Sequence, residues 1–247
     1  MLRRLLCALL LPALLCSSAA AAEKIVVATN PTWPPLEFLD DDKNIIGYDI
    51  DMIQAIGKEV GLDVEIRMIA WDGIFAGVAA GNYDVIASGV TITPERQRAF
   101  EFSKPYYDVQ QIVVVKKGES AANFEALKGR TVGGQIGTTG VFVARKSGVD
   151  MTLREYDDVG LAMQDLINGR IDAVIADDPV AKFYANKRED FAGKFSVAYL
   201  HKDPEYFGFC VRKGRTEMLN RLNKAIAEIK ADGTENKLKV EWMGTAD

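Results

Sequence analysis

Short apolar runs rich in β-branched residues alternate along this chain with amphipathic stretches, and that alternation restricts it to an α/β fold built from strand-helix-strand units. The runs at residues 24–28, 64–69 and 85–87 are separated by helical patterns at 49–60 and 73–80. In the first of these Met52, Ile53, Ile56 and Val60 fall at helical spacing and Gly61 supplies a stop, so the stretch packs its apolar face on a sheet. The pattern resumes with strands at 111–115, 131–137 and 173–176 and a helix around 159–167. No Ser/Pro-rich linker divides the two halves, so structured strands must join them.

The halves echo one another. Gly81-Asn82-Tyr83-Asp84-Val85-Ile86-Ala87 resembles Gly169-Arg170-Ile171-Asp172-Ala173-Val174-Ile175, each reading as a helix end, a turn and a strand. Ligands of open α/β sheets bind beyond the carboxyl ends of strands. After the first echo strand come Ser88, Gly89, Thr91 and Arg96, and after the second come Asp177 and Asp178, which implies a cleft between two sheet edges. Near the C-terminus Met218, Leu219, Leu222, Ile226 and Ile229 share one helical face up to a stop at Gly233, and a short segment with Leu238 and Trp242 follows.

The N-terminus pairs Arg3 and Arg4 with an apolar run over residues 5–15 and ends in Ser17, Ser18 and Ala19 to Ala22, the three regions of a secretory signal. Cleavage after Ala22 leaves 28 basic against 35 acidic residues, a charge of −7 that argues against nucleic acid as a partner. Leu14 and Leu15 before Cys16 do not fit a lipoprotein signal. Cys7 and Cys16 leave with the signal, so Cys210 has no disulfide partner in the mature chain. Its setting among Tyr206, Phe207, Phe209 and Val211 reads as a buried strand thiol.

The residues beyond the strand ends offer complementary chemistry. Arg96 can hold a carboxylate bidentately, and Thr93 with Pro94 marks a helix start whose free amides favour negative charge. Gly137, Thr138, Thr139 and Gly140 can donate from the opposite half. Asp177 closes an apolar strand, where an unpaired carboxylate is costly and an ammonium is its natural partner; Asp178 before Pro179 reads as a helix N-cap. Trp33 and Trp71 are large aromatics on loops. A carboxylate fork, an anionic acceptor and an aromatic pocket together match a small amino acid.

In order and spacing, Gly47-Tyr48-Asp49-Ile50-Asp51-Met52, the run from Ser88 to Arg96, Gly137 to Gly140, and Ala176 to Val180 closely resemble the periplasmic amino-acid-binding proteins of ABC transporters, over essentially residues 24–244. The resemblance implies a type II periplasmic-binding fold: two α/β lobes, each a mixed sheet flanked by helices, with residues 23–110 and 204–247 in a discontinuous first lobe and 111–203 in the second. It implies that Arg96 grips the ligand carboxylate with Thr91 and Thr139, and that Asp177, the Gly89 carbonyl and Thr91 receive the ammonium. Trp33 and Trp71 flank the side chain, and Asn30, Ser88 and Thr138 complete the set. Asp49 and Asp51 suit the positive end of a helix and are not expected to touch ligand. The position of Asn30 is often acidic in receptors for basic amino acids, so this neutral amide points away from arginine and lysine and leaves glutamine, histidine or another polar amino acid open.

The implied protein is a monomeric periplasmic receptor that closes on its ligand and delivers it to a membrane-embedded ABC permease, with no metal or cofactor. An alternative on the same scaffold is a cyclohexadienyl dehydratase-like enzyme, in which Glu37, Asp177 or Asp178 would act as a lone acid. The mature chain has a single histidine, His201, and carries no Gly-x-Ser-x-Gly, His-Glu-x-x-His or phosphate-cradling loop, which weighs against catalysis.

Overall fold

The computed structural model describes residues 22–188 and 190–244. The secretory reading of the N-terminus, Cys7 and Cys16 included, lies outside the described residues.

Two five-stranded sheets form two lobes with the same layout. In the first, the strands run in the order Leu62–Met68, Glu23–Thr29, Val85–Ile86, Cys210–Arg212 and Phe100–Phe102. In the second, the order is Thr152–Tyr156, Thr131–Gln135, Ala173–Asp177, Gln111–Lys116 and Phe195–Leu200. Each sheet has three parallel strands on one side and closes with antiparallel ones. The two echo segments supply the third strand of each sheet, Val85–Ile86 and Ala173–Asp177, so their similarity reflects equivalent places in two related lobes.

The chain crosses between lobes where the strand Tyr107–Val109 pairs antiparallel with Glu205–Phe207. This two-stranded ribbon stands apart from both sheets. Thr91 bridges to Phe207, and the Ile92 amide donates to the Tyr206 carbonyl at 2.8 Å, so the first lobe is bonded directly to the return strand.

The helix Tyr48–Val60 buries Met52, Ile53 and Ile56 completely and ends at Gly61, as its periodicity requires. It packs against the helix Thr216–Ala231, which carries the C-terminal apolar face back to the first lobe. That helix ends at Asp232; Gly233 instead caps the next helix, Thr234–Met243, which holds Leu238 and Trp242. Cys210 is fully buried between Ile86 and Phe102, and burial pushes its thiol up to about 12.

A glycine governs how the first long helix begins. Gly47 has φ 134°, and a Cβ there would lie 2.2 Å from the Leu36 carbonyl oxygen. Because the chain approaches so closely, the amides of Tyr48 and Asp49 donate to the carbonyls of Pro35 and Leu36 at 3.0 and 2.9 Å. The hairpin of strands Thr32–Trp33 and Glu37–Leu39, in which Trp33 faces Glu37 rather than lying on a loop as its sequence suggests, is thus clamped to the helix start. Gly47→Ala combines a forbidden contact with a left-handed φ and should destabilise the protein by about 3 kcal/mol or more. Urea unfolding measures this directly; a loss under about 1 kcal/mol would mean that the turn can rearrange.

Candidate functional site

The first lobe presents its polar groups where strands end. Past Glu23–Thr29, the Asn30 amide donates to Ser88 Oγ at 2.9 Å, and Ser88 Oγ donates to Glu37 Oε1 at 2.9 Å. Gly89 has φ 52°, and Trp33 Cδ1 lies 3.1 Å from where its Cβ would be, so the backbone passes against the indole without a side chain between them. Its amide donates to Asp49 Oδ2 at 2.7 Å, and Tyr106 Oη donates to the same oxygen at 2.6 Å. Asp49 therefore does more than complement a helix terminus. It is wholly buried and fixes the strand end from behind.

Arg96 lies in the short helix Pro94–Ala99, whose cap Thr93 accepts from the Arg96 amide at 3.1 Å. Its guanidinium is half-buried, 5.8 and 5.2 Å from the ring centroids of Trp71 and Phe75. Nη1 donates to the Thr91 carbonyl at 2.9 Å and Nη2 to the Gly137 carbonyl of the second lobe at 3.2 Å. Two carbonyls and two rings hold the fork in one plane, and a guanidinium has further donors to offer a ligand.

From the second lobe come Gln135 at the end of one strand, Thr138 and Thr139 at the start of the helix Thr139–Lys146, and Asp177 at the end of another strand. Asp178 is not the N-cap that its sequence suggests. It opens the helix Asp178–Asn186, accepts from the Gln110 amide at 3.1 Å and pairs with Lys182 at 2.6 Å. Asp177 occupies the cap position and turns its carboxylate away, accepting from Trp33 Nε1 at 2.9 Å and Gln111 Nε2 at 2.5 Å. Pro179 follows immediately and has no amide for a cap to satisfy.

Bonds between the lobes surround these groups. Besides Trp33 to Asp177 and Arg96 to Gly137, Trp71 Nε1 donates to the Ile136 carbonyl at 3.0 Å, and the hydroxyls of Thr91 and Thr139 stand 3.3 Å apart. Gln135 Nε2 reaches Asn30 Oδ1 at 3.4 Å. The lobes are closed, and all ten residues singled out from the sequence line one cavity: Asn30, Trp33, Trp71, Ser88, Gly89, Thr91, Arg96, Thr138, Thr139 and Asp177.

Glu37 and Gln135 line the same cavity. Gln135 closes a strand that the sequence locates, yet nothing in its neighbourhood marks an amide there as functional. Gln111 opens the second-lobe strand Gln111–Lys116, where it pairs with Asp177, and Glu205 opens the ribbon strand Glu205–Phe207. They bond to Asp177 and to Thr139, contacts that only the folded chain creates.

The electrostatics are lopsided. Among the described residues Arg96 is the single basic one lining the cavity, which it shares with Glu37 and Asp177. Burial pushes Asp177 up to about 7, with Glu205 adding to the rise against the donors Trp33 and Gln111. Burial raises Asp49 to about 6 and lifts Glu37 well above the usual carboxylate range, helped by repulsion from Asp49. Glu37 Oε2 is buried without a hydrogen-bond partner. Burial lowers Arg96 from its usual value, and Asp177 opposes that shift. Such a site offers an anion one fork of donors and offers a cation several acceptors.

Residues 25–245 match the family of bacterial extracellular solute-binding proteins, family 3. The ABC transporter arginine-binding protein 1 of Escherichia coli (strain K12) is 34% identical over 242 residues, covering 95% of this chain and 98% of its own. Among solved structures, an ancestral arginine-binding protein bound to arginine is 36% identical with a TM-score of 0.85, covering 91% of this chain and 100% of its own. The ancestral amino acid-binding protein AncCDT-1, described as a precursor of cyclohexadienyl dehydratase, is 34% identical with a TM-score of 0.83, covering 89% of this chain and 95% of its own. With the two sheets, the crossing ribbon and the cleft already described, these matches make the chain a member of the bacterial extracellular solute-binding proteins, family 3.

Proposed function

We propose that this protein is the extracytoplasmic receptor of an ABC transporter, which takes a polar L-amino acid between its lobes, closes over it at the hinge ribbon and presents the closed form to the permease. One observation carries the reading: a guanidinium, Arg96, and a buried carboxylate, Asp177, come from opposite lobes to the same small cavity. An amino acid is the small molecule whose backbone satisfies both at once. Arg96 and the amides at the start of the Thr139–Lys146 helix hold the α-carboxylate. Asp177, the Gly89 carbonyl and Thr91 Oγ1 receive the ammonium. Trp33 and Trp71 flank the side chain, and Asn30, Ser88 and Thr138 give the wall its polar lining. The lobes comprise residues 23–110 with 204–247, and residues 111–203. The mature chain works in the periplasm as a monomer, without nucleic acid or cofactor.

Within the polar amino acids the site favours arginine. Neutral Asn30 alone would argue otherwise, but Glu37 lines the cavity with an unpartnered oxygen and supplies the acidic group that Asn30 lacks. A distal guanidinium would pair with Glu37 and relieve its buried charge, while the Gln135 amide adds a neutral acceptor. The arginine-binding relatives support the same choice.

Calorimetric titration of the ligand-stripped protein against a panel of L-amino acids and prephenate tests the assignment. L-Arginine is the expected tight binder. Arg96→Ala and Asp177→Ala should each weaken it at least about a hundredfold by stranding a charged ligand group. Near-normal affinity in both variants would remove these residues from the site. Glu37→Gln should cost L-arginine about tenfold and leave L-glutamine nearly unaffected. Turnover of prephenate would establish the dehydratase instead.

The raised carboxylates set the pH dependence. Asp49 and Asp177, raised to about 6 and about 7, contribute stability to the ligand-free fold that is full below their unfolded value and lost as pH rises through those two values. The ligand-free melting temperature should therefore be higher at about pH 5 than at about pH 8. Binding runs the other way, because only ionised Asp177 accepts the ammonium charge, so affinity for L-arginine should rise over the same interval with release of a proton. Melting scans and proton-release calorimetry read both trends, and Asp177→Asn should remove most of the second.

A further inference from the structure

Glu205 does not line the cavity, yet its carboxylate governs two groups that do. It begins the return strand Glu205–Phe207 of the hinge ribbon. Its Oε2 accepts from Thr139 Oγ1 at 2.6 Å, from Gln111 Nε2 at 3.1 Å and from Thr91 Oγ1 at 3.3 Å. Thr91 belongs to the first lobe and Thr139 to the second. The bridge from Thr91 to Phe207 fixes its backbone against the same strand.

A threonine hydroxyl has one proton to donate and two lone pairs to accept with. An ionised carboxylate can only accept. Thr139 gives its proton to Glu205, and its oxygen also accepts from Gln111 Nε2 at 3.0 Å. Thr91 Oγ1 donates to the same Glu205 oxygen at 3.3 Å, which leaves Thr139, 3.3 Å away, with one lone pair free. Neither hydroxyl has a proton left for the cavity that both line.

We infer that Glu205 is a positioning residue for ligand recognition: it draws the hydroxyl protons of Thr91 and Thr139 toward the hinge, so that both threonines offer lone pairs to the ligand and select its ammonium group. The α-carboxylate is then left to Arg96 and backbone amides, without the hydroxyl donors that the family resemblance assigns to it. The inference rests on the amino-acid-receptor reading and explains how a neutral pair of hydroxyls comes to discriminate by charge. It also gives the hinge a direct hydrogen-bonded link to both lobes that forms only when Thr91 and Thr139 approach one another.

The test compares L-arginine with 5-guanidinopentanoate, which lacks only the ammonium, by calorimetry on the whole mature protein. Glu205→Met removes the acceptor at similar side-chain length and frees both hydroxyls to donate. It should narrow the affinity ratio between the two ligands by about tenfold, by weakening L-arginine more than its deaminated analogue. A purely structural role for Glu205 would weaken both ligands in proportion and leave the ratio unchanged, which would overturn the inference. In a Thr139→Val background the further effect of Glu205→Met on the ratio should largely vanish; a fully additive effect there would also overturn it. If Glu205→Met does not fold, Glu205→Ala, which also removes the acceptor, must narrow the ratio in the same direction, and an unchanged ratio counts against the inference equally. Failure of the wild-type protein to bind L-arginine would refute only the choice of arginine. The comparison then uses the L-amino acid that the panel identifies and its deaminated acid.

Discussion

Asp177 places a carboxylate at the end of a fully buried strand, and much of the architecture between the lobes follows from having to accommodate it. Its two donors come from different parts of the fold: Trp33 Nε1 from the short hairpin strand Thr32–Trp33, and Gln111 Nε2 from the second-lobe strand that follows the hinge. Burial pushes the carboxyl up to about 7, Glu205 adds to the rise, and the two uncharged donors offset it only in part. A cationic ligand group is the partner that would stabilise the ionised form in such a place. The closed cleft thus keeps its anion partly satisfied, which lets the lobes meet and leaves a reason to bind.

Behind the first-lobe wall a second layer fixes the geometry. Gly47 lets the helix start approach the hairpin that carries Trp33 and Glu37, and Asp49, two residues on, anchors the Gly89 amide and the Tyr106 hydroxyl. A sequence motif that does not itself line the cavity therefore holds one of its wall residues from behind. Arg96 is treated similarly, since two backbone carbonyls from opposite lobes and two aromatic rings leave its fork little freedom. Rigid recognition groups lose less entropy when a ligand arrives.

The equivalent layout of the two sheets explains why the site is built from both lobes. In each, the third strand ends at the cleft, carrying Ser88 and Gly89 on one side and Asp177 on the other. Facing these strand ends across an antiparallel ribbon turns two open edges into one enclosed pocket.

The sequence by itself determined the parts that depend on local pattern. Periodicity located the strands and helices around the cleft, Gly61 stopped the first long helix, and of the groups after the echo strands Ser88, Gly89, Thr91, Arg96 and Asp177 line the cavity while Asp178 does not. Side-chain direction at a helix start was less legible: both aspartates at 177 and 178 could cap, and only packing against Trp33 and Gln111 decided that Asp177 faces the cleft while Asp178 pairs with Lys182. Tertiary structure alone decided the roles of Gln111, Gln135, Glu37 and Glu205. They lie far apart in the chain on unremarkable strands, and what gives each its function is a partner contributed by another strand or the other lobe. Local pattern encodes burial and turn chemistry, whereas a hydrogen bond across a cleft depends on how two lobes meet.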